Sequence, residues 1–333
     1  MTDELANTPI LLDIHNLNVH YVSRDQAPAR ALEDVSFSLR EGETLGIVGE
    51  SGCGKTTLML TLMRLLPEAG RIVSGQINCM GRDLLDLSEA EMRHVRWREI
   101  AMIFQGAMNA LNPVRTVGDQ IAEAIRWHNL ADDKKIVDDR TCELLELVGI
   151  SADRRRQYPH QFSGGMRQRV MIAMALACNP QIVIADEPTT ALDVMIQAQI
   201  LELLLRLREK LGLAVLLVTH DLGVVAEVCD TVLVMYGGVV AEYAGVDTIF
   251  NHPRHPYTQE LLKAFPDIST SSAQVRLASI PGYPPRLDAL PPGCRFAPRC
   301  PQVFDRCHTA QPALSHISAR NDHHVSCYLA EST

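Results

Sequence analysis

The sequence predicts an α/β fold built around a parallel β-sheet. Short apolar segments typical of buried strands, at 45–48, 182–185 and 214–218, alternate with segments of helical periodicity. The first of these strands leads into a glycine-rich loop and then a helical segment, the order typical of a phosphate-binding loop. A more charged helical stretch interrupts the alternation, and after about residue 251 the composition shifts toward Pro, Ser, Cys and His. We therefore predict a sheet core, a helical insertion and a small tail domain.

Each predicted element depends on its own local pattern. Apolar alternation or a short apolar run predicts the strands, and a period near 3.6 residues predicts the helices. We expect Pro67 to end the first helix. The predicted strands are 14–19, 35–39, 45–48, 182–185 and 214–218, and the predicted helical segments are 56–66, 121–127, 143–148, 166–177 and 196–211.

Composition limits the class of protein. The chain has 333 residues, 47% of them hydrophobic and 21% charged, which excludes a disordered or fibrous chain and predicts two or three domains. No apolar run approaches the roughly 18 residues that a membrane-spanning helix needs. The acidic N-terminal residues 1–4 are not followed by an apolar signal core, so we expect a cytoplasmic location.

Charge and cysteine content add two constraints. Lys and Arg total 31 against 40 Asp and Glu, and the net charge of −9 argues against a nucleic-acid-binding protein. Nine cysteines are many for an intracellular chain. Five are scattered and are expected to behave as small hydrophobic residues: Cys53, Cys79, Cys142, Cys178 and Cys229.

The glycine-rich loop carries the strongest motif. Residues 49–56 match the pattern GxxxxGK[ST] between a predicted strand and a predicted helix, which predicts a P-loop NTPase fold. Glycines permit the tight backbone in which successive N–H groups point at phosphate oxygens, and the helix N-terminus adds its positive end. Lys55 is expected to reach the β- and γ-phosphates, and the Thr56 hydroxyl to bind Mg²⁺. The predicted nucleotide-binding residues here are Gly49, Glu50, Ser51, Gly52, Cys53, Gly54, Lys55, Thr56 and Thr57.

Two carboxylates follow the apolar strand at 182–185. Asp186 is placed to hold Mg²⁺ through water, and Glu187 to polarise a water molecule that attacks the nucleotide. A strand that merely ends in solvated acids gives the same local pattern. The preceding phosphate loop favours the catalytic interpretation.

Several shorter motifs follow in the order of a known family. Residues 162–168 resemble the LSGGQ signature, with Phe in place of Leu and Met in place of Gln. Gln105 resembles the Q-loop glutamine, 191–193 the D-loop and His220 the switch histidine. Tyr21 resembles the aromatic residue that stacks on adenine, although a surface tyrosine fits that position equally well. The set is similar to the nucleotide-binding domain of ABC-type ATPases.

The resemblance implies roles for these residues. The signature would face the γ-phosphate bound by the opposite subunit, so a chain with one phosphate loop and one signature is expected to work as a dimer that closes on two ATP molecules. The expected catalytic residues are Glu187, His220 and Gln105, the expected Mg²⁺ ligands are Thr56, Gln105 and Asp186, and the further nucleotide-binding residues are Tyr21, Gln105, Asp186, Ser163, Gly164, Gly165 and Asp193.

The resemblance also implies a domain organisation. A RecA-like ATP-binding core is expected at 1–105 and 164–250, an inserted helical signature subdomain at 106–163, and a C-terminal extension at 251–333. The insertion resembles the region that receives a coupling helix from a membrane subunit, although its apolar residues also fit an ordinary core.

Four cysteines lie in the last forty residues, separated by gaps of 5, 6 and 19 residues: Cys294, Cys300, Cys307 and Cys327. They lack the CxxC pairs usual for structural zinc, and a reducing cytoplasm disfavours disulfides. Four cysteinates suit a [4Fe–4S] cluster, and a Cys-Pro step, as at 300–301, also occurs in ferredoxin ligand runs. Zinc, with His308, His323 or His324 as substitute ligands, and free thiols stay open as alternatives.

The tail sharpens the family resemblance. Residues 254–258, RHPYT, and 293–301, GCRFAPRCP, resemble the C-terminal extension of dipeptide/oligopeptide importer ATPases, in which cysteines of this spacing bind a cluster. The resemblance covers about 11–330. The HPYT segment also fits a simple helix start ahead of Leu261 and Leu262, so it is a family marker and not a predicted site.

These observations predict an ATP-hydrolysing subunit of an ABC importer for di- or oligopeptides or a related small solute. The implied cofactors are ATP, Mg²⁺ and a [4Fe–4S] cluster. The implied partners are a second ABC ATPase in a heterodimer, two transmembrane permease subunits and an extracytoplasmic solute-binding protein, at the cytoplasmic face of the inner membrane, with no nucleic acid. The alternatives are a soluble non-transport ABC ATPase and a redox-sensing ATPase regulated through the tail.

Overall fold

The computed structural model describes residues 8–23, 27–106, 110–131, 133–190, 192–264, 280–318 and 322–330. The strands are β1 (Ile10–Tyr21), β2 (Ala29–Arg40), β3 (Thr44–Val48), β4 (Gly70–Cys79), β5 (Arg82–Asp83), β6 (Ile100–Ile103), β7 (Ile182–Asp186), β8 (Ala214–Val218), β9 (Thr231–Tyr236), β10 (Val239–Gly245), β11 (Ser315–Ser318) and β12 (His323–Val325). The α-helices are α1 (Lys55–Leu62), α2 (Glu89–Arg98), α3 (Val117–Trp127), α4 (Lys134–Leu147), α5 (Gly164–Ala175), α6 (Val194–Leu211), α7 (Leu222–Val228), α8 (Val246–Asn251) and α9 (Pro256–Lys263).

The chain forms two compact units. Unit one comprises Met1–Leu39, Thr44–Leu85 and Thr219–Thr333, and unit two comprises Arg40–Glu43 and Asp86–Val218. The cysteine-containing tail is therefore part of the same unit as the phosphate loop. The three-part division expected from the sequence stays a prediction.

Unit one contains two sheets. An antiparallel sheet has the order β2-β1-β4-β5. In the second sheet β3 pairs in parallel with β9, and β9, β10, β12 and β11 continue it in antiparallel pairs. Every residue of β3, β9 and β10 is buried, as expected for strands covered on both faces.

Unit two contains the parallel strands β6, β7 and β8. Ile100 of β6 pairs with Ile182 of β7, and Ile182 pairs with Ala214 of β8. The helices α2 to α6 belong to the same unit. Strands joined through helices and paired in parallel confirm the predicted α/β class for this part of the chain.

The tail strands join unit one through a buried acid. Glu242 of β10 is fully buried and accepts hydrogen bonds from the backbone N–H groups of Arg254 and His255 at 2.7 and 3.0 Å and from Nε2 of His323 at 2.7 Å. His255 caps α9, because its Nδ1 accepts the N–H of Tyr257 at 2.9 Å. The HPYT segment therefore starts a helix, which is the alternative that the sequence left open for it. Among the described helices, none has both the length and the apolar character required to cross a bilayer.

Candidate functional site

The phosphate loop connects β3 to α1 with a backbone that requires glycine. Gly49 has φ +149°, and a Cβ atom there would lie 2.2 Å from the carbonyl oxygen of Met235 on β9. The loop can therefore lie against the neighbouring strand only if position 49 has no side chain. The loop ends at the N-terminus of α1. Backbone N–H groups at a helix N-terminus favour the binding of phosphate.

Lys55 lies across this loop. Its ammonium donates hydrogen bonds to the carbonyl oxygens of Gly49 and Glu50 at 2.6 and 3.1 Å, and Nζ is 3.6 Å from Sγ of Cys53. The Lys55 side chain is 9% exposed, and Cys53 is 2% exposed. Burial raises the pKa of the Cys53 thiol, partly offset by Lys55. A cation is thus fixed at the centre of the loop, where a phosphate chain would bind.

Two further predicted residues, Tyr21 and His220, belong to unit one, and Tyr21 lies next to this motif. The hydroxyl of Tyr21 is 3.3 Å from Oγ1 of Thr57, so the end of β1 contacts the first turn of α1. His220 is exposed and precedes α7, which Asp221 caps. Stacking of Tyr21 on adenine and contact of His220 with the γ-phosphate stay predictions.

Unit two holds the two carboxylates. Asp186 ends β7 and is 6% exposed. Glu187 follows with φ +45°, a left-handed backbone that is rare for a residue with a side chain. Its Oε2 accepts hydrogen bonds from Nε2 of Gln105 at 2.6 Å and from Oγ1 of Thr190 at 2.8 Å. The structure therefore brings the predicted base and the predicted Q-loop glutamine into direct contact.

The signature also lies in unit two, at the start of α5. Ser163 caps the helix, since its Oγ accepts the N–H of Met166 at 3.3 Å. A Cβ atom at Gly165 would lie 2.5 Å from Cγ2 of Ile196, so this glycine allows α5 and α6 to approach closely. Asp193 caps α6 through the N–H of Ile196 at 3.0 Å. Ala191 of the predicted D-loop lies outside the described residues.

The predicted site residues thus form two sets. Unit one holds Tyr21, 49–57 and His220, and unit two holds Gln105, 163–165, Asp186, Glu187 and Asp193. The expected Mg²⁺ ligands belong to both sets, with Thr56 in one and Gln105 and Asp186 in the other. Their joint geometry stays a prediction.

The four tail cysteines form an electrostatically coupled group. The pKa of Cys294 is raised to about 11, mainly by burial and in part by charge on Cys307 and Cys327. Burial likewise raises the pKa of Cys300, which senses the charge of the same two residues. Thiolates that lie close enough to influence one another are a donor set that a bound cation would stabilise.

Backbone donors surround these sulfur atoms. The N–H groups of Phe296 and Ala297 lower the pKa of Cys294, and those of Leu329 and Ala330 lower the pKa of Cys327. The N–H of Gln302 lies 3.4 Å from Sγ of Cys300. Such N–H donors stabilise thiolates, and hydrogen bonds to sulfur also tune iron–sulfur clusters. Among the described residues, however, the side chains close enough together to hold a metal ion are those of His316, Asp322 and His324 and not the four cysteines, so a metal or cluster held by four cysteinates stays a prediction.

The histidines proposed as substitute zinc ligands have other contacts. His323 is bonded to Glu242. Nδ1 of His324 lies 3.7 Å from Oδ1 of Asp322, and its ring packs against His316 with 4.8 Å between ring centroids. His324 thus belongs to a group with His316 and Asp322 that could itself hold a metal ion, and the choice among zinc, a cluster and free thiols at the cysteines stays open.

Sequence reasoning missed three residues that hydrogen-bond to predicted site residues: Arg299, Tyr257 and Thr190. The carboxylate of Glu50 is bonded to Arg299, and its N–H to the hydroxyl of Tyr257. Thr190, which orients Glu187, was also not predicted. Tyr257 lies within the HPYT marker and Arg299 within the 293–301 marker, but neither marker indicated a contact with the phosphate loop.

Comparison with known families connects both parts of the chain. Residues 32–190 match the ABC transporter family. Residues 241–307 match the C-terminal region of oligopeptide/dipeptide transporters. The oligopeptide transport ATP-binding protein AppD of Bacillus subtilis is 48% identical over 325 residues, which cover 96% of this chain and 97% of that protein. This chain belongs to the ABC transporter ATP-binding family.

Other relatives agree with this assignment. The dipeptide transport ATP-binding protein DppD of Escherichia coli is 49% identical over 310 residues, 92% of this chain and 94% of that protein. The ATP-binding cassette MJ0796, solved as a dimer in a post-hydrolysis state with ADP and Pi, is 29% identical with a TM-score of 0.63. The match covers 71% of this chain and 98% of the cassette. The chain is an ABC-type ATPase with the P-loop NTPase fold, and the roles of the individual site residues stay predictions.

Proposed function

We propose that this ABC ATPase powers the import of di- or oligopeptides, or a related small solute, from the cytoplasmic face of the cell membrane. The observation that carries the proposal is the match to both families in one chain. Relatives that align over nearly its whole length, AppD and DppD, are named for oligopeptide and dipeptide transport. The matches thus include the tail as well as the nucleotide-binding part of the chain.

The number of nucleotide-binding motifs in the chain indicates that it pairs with a second ATPase. One phosphate loop and one signature per chain require a second ATPase for two complete sites, and we propose that this is a different, similar chain. Two transmembrane permease subunits and an extracytoplasmic binding protein would complete the importer. Closure is driven because the closed dimer binds ATP more tightly than ADP.

The proposed chemistry assigns roles to the predicted residues, and two roles to Gln105. Glu187 accepts the proton of the water that attacks the γ-phosphate, while Gln105 and Thr190 orient its carboxylate. Lys55 and the loop N–H groups neutralise phosphate charge, and His220 helps to orient the water. Mg²⁺, held by Thr56, Gln105 and Asp186, would neutralise charge on the β- and γ-phosphates. Ser163, Gly164 and Gly165 would contact the nucleotide of the partner subunit.

For the tail we propose a [4Fe–4S] cluster on Cys294, Cys300, Cys307 and Cys327. The proposal is supported by the hydrogen bond from the N–H of Cys294 to the carbonyl oxygen of Cys307 at 2.8 Å, by the N–H of Gln302 at 3.4 Å from Sγ of Cys300, and by the electrostatic influence of Cys307 and Cys327 on the other thiols. When bound, the cluster would supply a redox-active cation that stabilises four thiolates. Its main structural effect here would be to connect three loop segments that contain little regular structure.

Co-purification tests the transport assignment. Tagged Glu187→Gln is isolated from detergent-solubilised membranes with ATP and Mg²⁺ under anaerobic conditions, with ADP in place of ATP as the control. We expect two hydrophobic subunits and a second ATPase, with tighter ATPase pairing in ATP than in ADP. In cells that lack the native chain, uptake of a labelled dipeptide should return with the wild type and not with Glu187→Gln. A homodimer without any membrane partner would contradict the proposal.

A further inference from the structure

The tail segment Cys294–Cys300 contacts the phosphate loop through an arginine. Arg299, which immediately precedes Cys300, donates from Nη1 to Oε2 of Glu50 at 2.6 Å and from Nη2 to Oε1 at 3.0 Å. The Arg299 side chain is 4% exposed, and that of Glu50 is 25% exposed. A two-bond arginine–carboxylate pair fixes both position and orientation, which a single contact does not.

Arg299 is itself held in place by other groups. Its Nε donates to the carbonyl oxygen of Pro281 at 2.9 Å, and Nη2 donates to that of Ile280 at 3.1 Å. Nη1 also lies 3.1 Å from the hydroxyl of Tyr236 at the end of β9. The Glu50 carboxylate raises the pKa of Arg299, so the guanidinium stays charged. The pair therefore joins the loop to a rigid support.

The backbone of Glu50 is fixed as well. Its N–H donates to the hydroxyl of Tyr257 at 3.0 Å, and its carbonyl oxygen accepts from Lys55 at 3.1 Å. Tyr257 is completely buried, and burial raises the pKa of its phenol, which stays neutral. Glu50 is thus held at its N–H, its carbonyl and its carboxylate. The first half of the phosphate loop has little freedom while these contacts persist.

A second arginine of the same tail segment reaches the phosphate loop indirectly, through the turn between β9 and β10. Arg295 donates to the carbonyl oxygen of Gly237 and to the carboxylate of Glu33. The adjoining Gly238 donates its N–H to the carbonyl oxygen of Cys53 at 2.9 Å. The turn between β9 and β10 therefore links Arg295 to the middle of the phosphate loop.

An aromatic cluster fixes the segment between the two arginines. Phe296 is 2% exposed, and its ring centroid lies 5.1 Å from that of Tyr236 and 5.4 Å from that of Tyr257. Three aromatic rings buried against one another bring a large apolar contact area to this segment. A movement of the segment would therefore disturb Arg295, Arg299 and Tyr257 together.

We propose that the segment Cys294–Cys300, here called the loop brace, sets the affinity of the phosphate loop for nucleotide. Arg299 is a positioning residue: it acts through Glu50 and does not touch the nucleotide. Loop N–H groups bind phosphate strongly only when they converge before binding, because ordering them during binding costs free energy. A chain without the Arg299–Glu50 pair has to order its loop when ATP arrives.

Equilibrium binding of a fluorescent ATP analogue to the full chain tests the loop brace. Arg299→Gln should raise Kd about tenfold, or about 1.4 kcal/mol, and Arg299→Lys should retain part of the affinity through a single donor. At saturating ATP, kcat should change less than Kd. The matched control is Arg286→Gln, because Arg286 makes the same two-bond pair with Asp288 at 3.0 and 2.7 Å but is 79% exposed. This control should bind nucleotide like the wild type.

A double-mutant cycle separates positioning from a general loss of structure. Arg299→Gln leaves the Glu50 carboxylate without its partner, so Glu50→Gln and the double variant are measured for Kd and for Tm. If the brace acts through Glu50, the double variant binds no more weakly than either single variant. Additive losses in binding, or wild-type affinity in a folded Arg299→Gln, would overturn the proposal. If Arg299→Gln does not fold, the cycle is measured with Glu50→Gln, Arg299→Lys and their double variant. Additive losses in nucleotide affinity would again overturn the proposal.

Discussion

Glu187, the predicted general base, has both an unusual backbone conformation and a carboxylate held by two neighbouring side chains. Its backbone has φ +45°, and two side chains, Gln105 and Thr190, hold its carboxylate. Such a strained conformation persists only where the surroundings determine it, which is frequent at functional sites. The carboxylate is thereby pointed in one direction at the end of β7, as a general base requires.

Replacing this carboxylate by an amide tests its role. Glu187→Gln should bind ATP like the wild type and lose at least about 100-fold in steady-state turnover, because an amide cannot accept the proton from water. Phosphate release and analogue binding measure the two effects. Lys55→Ala should show the opposite pattern, with binding lost. The matched control is Glu202→Gln on the exposed surface of α6, which should behave like the wild type. Substantial turnover in Glu187→Gln would show that another group is the base.

At the residue scale, local motifs were predictable and distant partners were not. The phosphate loop and the signature are encoded within eight consecutive residues each or fewer, so spacing and residue type revealed them. Glu50 and Arg299 are separated by 249 positions, and Glu50 and Tyr257 by 207. No local pattern connects such pairs, because only the packing of the tail on unit one brings them together.

At the element scale, the buried strands that were predicted match the structure better than the predicted helix ends do, and the buried strands β6, β9 and β10 were missed. The predicted strand 214–218 coincides with β8, whereas the predicted helix 56–66 ends at Leu62. Pro67 does not terminate it: Arg64 adopts φ +49°, a left-handed conformation that ends a helix. The hairpin of β9 and β10 was not predicted, although two apolar runs around Gly237 and Gly238 carry the usual signal.

The capping of α9 gives the tail a dependence on pH. His255 is buried, and burial lowers its pKa from 6.5 to about 4, although Glu242 opposes the shift. Below pH 6.5 the unfolded chain binds a proton that the folded chain does not, so stability falls as the pH is lowered toward 4. Between pH 7.5 and 5 this residue should cost about 2 kcal/mol of unfolding free energy.

A substitution at the cap isolates this effect. His255→Asn keeps an acceptor for the N–H of Tyr257 and has no titratable group. Denaturant unfolding at pH 7.5 and pH 5 should therefore show a loss about 2 kcal/mol smaller in the variant than in the wild type. The comparison uses the change with pH, so a constant cost of the substitution cancels. Equal pH dependence in both proteins would assign the acid sensitivity to other groups.

At the scale of the whole molecule, the order of motifs predicted the family. Short signals that are individually weak became specific because they follow one another in a fixed sequence from Tyr21 to His220. The relatives that cover 92% to 96% of the chain are consistent with that reasoning. The interaction between the tail and the phosphate loop was not predictable, because the tail was interpreted as a separate domain.

The composition of the cysteine site is the remaining prediction for the molecule as a whole. If the four thiols hold a [4Fe–4S] cluster, protein purified without oxygen should contain about four iron and four sulfide per chain. Cys307→Ser should lose most of both, because it removes a ligand coupled to Cys294 and Cys300. The matched control, Cys142→Ser on α4, should retain them. Alkylation followed by mass spectrometry should find the four thiols protected until the cluster is destroyed by air. Zinc in place of iron, or four thiols that react at once in the anaerobic protein, would each contradict the cluster.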